Sequence, residues 1–180
     1  METPLTLKQV LLEETKKTYV VTENLFRKVD NNELNWKPNT GKNWMTVGQL
    51  LMHCASGGCG KGVQGFLTGD WGPAGGEEPD DQEESNHLPQ AEDLPYVDNV
   101  EQAIKILEGD KALAMSCISD AKEEDLLSKR LIAPWGGLEM SLFQHLLMMI
   151  AHLAQHKGQL FYYLKLMGKD VDSSDLWGEV

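Results

Sequence analysis

Apolar side chains recur along this chain at helical rather than alternating intervals. From Leu5 to about Asp30 they stand at Leu7, Val10, Leu11, Val20, Val21, Leu25 and Phe26, with a polar gap from Glu13 to Lys17. Steps of three and four keep side chains on one face of an element turning about 100° per residue, so this segment predicts an amphipathic helix. A second helix is expected from Thr46 to about Leu67, with Thr46 as N-cap ahead of Val47, Leu50, Leu51 and Cys54. A third spans Asp98 to about Ala121 on Val100, Ile104, Leu107, Leu113 or Ala114, and Ile118. The fourth, Ser141 to about Met167, is the strongest, and Gly168 stands where a glycine C-cap would end it.

The connections differ in length. Asn31 to Met45, with Trp36, Pro38, Gly41 and Trp44, reads as a loop. Asp70 to Val97 exceeds the about 2 to 8 residues usual between bundle helices and suggests a crossover. Lys122 to Met140, including Pro134-Trp135-Gly136-Gly137, is the third, and no segment alternates well enough to demand a sheet. Four helices with long crossovers make an all-α four-helix bundle, and 180 residues with 41% apolar composition suit one domain over residues 1–180.

Charge changes the picture only when mapped. Of 28 acidic residues, 11 fall between Gly62 and Ile104, where none of the 16 basic residues lies, leaving 17 against 16 elsewhere. The net charge of −12 therefore belongs to one connection. No positive surface is visible for nucleic acid or for anionic lipid, and no apolar run is long enough to span a membrane. Cys54, Cys59 and Cys117 form an odd set without zinc-finger spacing, so reduced thiols and a cytoplasmic location are expected.

The chemistry concentrates in histidine. His152 and His156 are one helical turn apart, about 6 Å along the axis, so two imidazoles project from one face within reach of one ion. His145 shares that face but lies about 10 Å away along the axis, too far to join them, which leaves it as a core, outer-shell or proton-transfer residue. The stripe continues through Met149, Gln159 and Tyr163. A third ligand must come from another helix, and His53, three residues after Leu50, is the one histidine in another helical pattern; His87 sits in the acidic connection as a solvated residue. Three histidines, His53, His152 and His156, would leave a coordination position open, as in catalytic sites. Leu153 stands where zinc proteases of the HExxH type carry their glutamate, so that mechanism has no support. Cys54, about 100° around the helix from His53, is read as a small buried residue. Glycines 57, 58, 60, 62 and 65 mark either close packing beside the site or a helix that breaks near Gly57.

The start Trp44-x-Thr46-Val47-Gly48-Gln49-Leu50-Leu51-x-His53, together with His152-x-x-x-His156-Lys157-Gly158-Gln159-Leu160, resembles the DinB/YfiT-like metalloenzymes over essentially the whole chain. The resemblance implies an up-down-down-up bundle and a divalent ion, nickel or zinc and sometimes iron, on His53, His152 and His156. Enzymes of the resembled family include thiol-dependent S-transferases and isomerases that use low-molecular-weight thiols, alongside many members without an assigned substrate, so S-transfer is one expectation. That reading wants a cation near the metal; Lys157 is off the inward face, and Arg27 and Arg130 are the only arginines. A metal-dependent hydrolase competes with it, and needs a proton acceptor for which His145 is the candidate. A third reading is a non-catalytic, stress-associated metal-binding or dimerisation module, in which the apolar run Leu146 to Ile150 and Tyr162, Tyr163 and Trp177 are covered by core or by a second subunit. The substrate is unspecified by these residues.

Overall fold

The computed structural model describes residues 4–57, 59–71 and 90–178. His87, Gly58 and most of the acidic connection lie outside the described residues. The first helix, α1 (Leu7–Phe26), starts at a capping box in which the Thr6 hydroxyl accepts from the Gln9 amide and the Gln9 side chain from the Thr6 amide. Its polar gap hides one interior residue: Thr15 is buried and its hydroxyl donates to the Leu11 carbonyl.

The expected second helix is two. Thr46 caps α2 (Val47–Ser56) through the same kind of box with Gln49, but the helix ends at Gly57 and resumes as α3 (Cys59–Thr68). A Cβ at Gly57 would lie 2.0 Å from the His53 carbonyl oxygen, so the exit from α2 admits only glycine there. The glycines of α3 then let it approach its neighbours: a Cβ at Gly60 would meet the Asp110 carbonyl at 2.5 Å, and one at Gly62 the Met149 sulfur at 2.4 Å. Breakage and close packing both hold, at different glycines.

Helix α4 (Val100–Asp120) is capped by Asn99, and the third connection contains a short α5 (Glu123–Ser128) and two antiparallel strands, β1 (Arg130–Leu131) and β2 (Met140–Ser141). The long α6 (Leu142–Leu166) begins at a Ser141–Gln144 capping box. It ends in a Schellman turn: Gly168 sits at φ +80°, its amide bonds the Lys165 carbonyl, and the Lys169 amide bonds that of Leu164. A last turn, α7 (Ser173–Trp177), folds back over α1 and α6.

Cross-helix contacts fix the directions. The amides of Leu7 and Lys8, at the start of α1, bond Glu123 just beyond α4, so α1 and α4 run antiparallel. The Val97 amide meets the Gly48 carbonyl near the starts of α4 and α2, so these run parallel. Tyr163 late in α6 reaches Met45 before α2, and Phe66 late in α3 stacks on His145 early in α6. The bundle is therefore up-down-down-up, with α2 and α3 together forming one leg. Leu11, Leu25, Phe26, Leu50, Leu51, Leu107, Ile118, Leu146, Leu153 and Leu160 fill the core. No helix among the described residues is long and apolar enough to cross a membrane.

Candidate metal centre

His53 comes from the last turn of α2 and His152 and His156 from the middle of α6, where the antiparallel legs face each other. The His156 Nε2 lies 3.1 Å from the Nε2 of His53 and 3.1 Å from that of His152. All three ligand atoms fall within 4.8 Å of one another, and this group could hold a metal ion. Two imidazoles bound at about 2.05 Å with tetrahedral angles would place their nitrogens about 3.3 Å apart, so the spacing fits a shared divalent ion.

The proton positions follow from an acceptor at the end of a chain of hydrogen bonds. The Met45 carbonyl can only accept, so the Tyr163 hydroxyl donates to it at 3.1 Å. That hydroxyl oxygen accepts from Gln159 Nε2 at 3.2 Å, which turns Gln159 Oε1 toward His156 Nδ1, 3.1 Å away. Nδ1 must therefore carry the proton, and Nε2 presents its lone pair to the centre. Trp36 and Trp44, from the loop before α2, pack edge-on against the Tyr163 ring at 5.3 and 6.2 Å between centroids. The loop thus holds the far end of the chain that orients His156.

The three rings are half-buried, and burial is the main force lowering their basicity. It takes His53 down to about 4, with the neighbouring imidazoles adding to the effect, and lowers His152 and His156 as well. Neutral imidazoles are the form a metal needs.

The remaining sequence candidates have separate places. His145 is fully buried, stacks on Phe66 at 4.3 Å, and its Nε2–H donates to the Leu131 carbonyl at 2.9 Å, while its Nδ1 has no partner. Those bonds tie it to β1. Cys54 is buried away from the trio, its thiol pushed up to about 12 by desolvation, and Cys54, Cys59 and Cys117 are free. Lys157 is covered by α7: its ammonium donates to the Leu176 carbonyl and sits over the Trp177 ring.

Beside the histidines lies a cavity of about 680 Å³, in the size range of small-molecule sites. His53 and His152 form one wall; Gly57, Gly62, Met148, Met149 and Ala151 line it with apolar surface, and Trp71 and Trp135 face it. Lys61 and Gln155 also line it among the described residues. Lys61, Trp71 and Trp135 carry no sequence signal of their own, because they reach the site only through the break in the second leg and the hairpin between β1 and β2.

A helical bundle with three converging imidazoles on facing legs, and a cavity against them, is compatible with metal binding. The family model of the DinB superfamily matches residues 14–160, and the chain belongs to that family. Among solved structures it is similar to a DinB-like protein from Bacillus subtilis, at TM-score 0.64 and 16% identity, covering 90% of this chain and 94% of that one. A DinB-like protein from Bacillus cereus is similar at TM-score 0.63 and 15% identity, covering 91% and 94%. At such identities the likeness concerns the fold. No curated protein matches the chain.

Proposed function

We propose that this protein is a divalent-metal-dependent enzyme acting on a small molecule held in the cavity beside His53, His152 and His156, and that its reaction is of the thiol-dependent S-transferase type. The observation that carries the proposal is that two of the three histidines are also walls of a cavity, so that an ion held by them would face a bound molecule. A divalent ion there would supply Lewis acidity, lowering the pKa of a thiol so that it is nucleophilic near neutral pH. Gln159 and Tyr163 keep His156 Nε2 free of a proton, and burial keeps all three imidazoles neutral. Met148, Met149 and the two tryptophans give the cavity beside the trio an apolar lining. Lys61 supports the transferase form, because it lines the same cavity as His53 and His152 and carries the cation that an anionic thiol wants.

Hydrolysis needs a proton acceptor, and none of the described lining residues is a carboxylate. Metal-loaded protein, zinc and nickel forms separately, assayed with a panel of thiols and electrophiles and against simple esters and amides, tests the assignment. Thiol consumption that depends on both metal and His156 is the expected result. Ester or amide turnover without thiol dependence would make it a hydrolase, and cobalt-substituted protein whose spectrum no added ligand alters would make the ion a structural tie.

A further inference from the structure

The cavity has a chemical character that narrows what it takes, and this rests on reading it as the substrate site. We propose that its ligand is a flat, apolar molecule carrying one anionic group, with the ring system against Trp71 and Trp135 and the anion paired with Lys61.

The two indoles make a corner. Their centroids are 5.8 Å apart and their planes cross at 81°, so a ring stacked on one meets the other by its edge. Phe66 braces both, 4.8 Å from Trp71 and 5.7 Å from Trp135. Trp71 is seated on Gly65, where a Cβ would come within 2.3 Å of its ring. Trp135, at the turn between β1 and β2, stays 63% exposed although it borders the cavity. An indole held half out of the core by neighbouring rings offers a free face at the cavity mouth.

The charge is equally selective. Lys61 is the one ammonium among the described lining residues, no described carboxylate lines the cavity with it, and although the buried Asp110 carboxylate beneath α3 feels its charge, the two do not close to an ion pair. A chain of net charge −12 repels anions in general, so an anion settles only where a local cation receives it. Gln155, on α6, adds an amide donor to the same lining.

The test uses the full-length protein, as purified and after chelation, with 1-anilinonaphthalene-8-sulfonate and its uncharged counterpart N-phenyl-1-naphthylamine, followed by dye and tryptophan fluorescence. Both dyes are expected to bind once per chain, with or without metal. Lys61→Gln should weaken the sulfonate about fivefold, the value of one partly exposed ion pair, and leave the neutral dye unchanged. Trp135→Ala, at an exposed position that does not threaten folding, should weaken both. Sulfonate affinity indifferent to Lys61→Gln would overturn the anionic half of the proposal, and indifference of both dyes to Trp135→Ala would overturn the aromatic half. Since chelated protein serves, a failed dye test leaves the metal centre standing, and a chain that binds no metal leaves the dye result standing.

Discussion

His156 depends on a neutral amide one turn away. The order Met45 carbonyl, Tyr163 hydroxyl, Gln159 amide, His156 Nδ1 admits one direction of donation, and that direction exposes the Nε2 lone pair. Replacing Gln159 by Leu removes the acceptor and frees the ring to rotate or change tautomer. Metal affinity should then fall about 10- to 100-fold, as when other orienting partners are removed, with helical content unchanged. Competition against a calibrated chelator measures it, and wild-type affinity in the variant would show that the amide does not orient the ring. The histidines themselves were legible because i,i+4 spacing and helix faces are local properties. Gln159 and Tyr163 were visible only as members of a stripe, since their roles depend on a carbonyl contributed by the loop before α2. Lys61 was not legible, because the direction of α3 follows from a break whose geometry no periodicity encodes.

Among the elements, the four helical legs and two of their caps, at Thr46 and Gly168, follow from the hydrophobic pattern and flanking residues. The split of the second leg was one of two readings of its glycines. Helices α5 and α7 and the strands β1 and β2 went unseen, because six, five and two residues are too few to show a period. The glycines of the legs now divide by what surrounds them. A Cβ at Gly60 would come within 2.5 Å of the Asp110 carbonyl oxygen, whereas one at Gly109 on α4 would meet nothing within 4 Å. Gly109→Ala should stabilise the protein by about 0.5–1 kcal/mol through helix propensity and a less free unfolded chain. Gly60→Ala gains the same propensity but must push α3 from α4, and should destabilise by about 1–3 kcal/mol. Urea midpoints of the two variants moving in the same direction would contradict the packing described for α3.

For the whole molecule, the half-buried imidazoles couple stability to pH. A base whose pKa is depressed on folding takes up protons more readily when unfolded. Its contribution is complete above the ordinary value of 6.5 and is lost as pH falls through the folded value, about 4 for His53. Metal-free protein should therefore lose thermal stability as pH falls across that window, and His53→Gln should flatten the decline. An unchanged pH slope in that variant would mean that His53 does not titrate as its burial requires. The same window limits metal binding, since each proton taken up removes a ligand.

The central claim is that His53, His152 and His156 together hold one divalent ion. Metal content by mass spectrometry, on protein purified without a histidine-rich tag and equilibrated with zinc or nickel, tests it most directly beside the His156→Ala variant. The prediction is about one ion per chain in the wild type, and none in a variant whose helical circular dichroism is unaltered, because a large apolar core rather than the ion holds the bundle. A His156→Ala protein that still retains a full equivalent would contradict it.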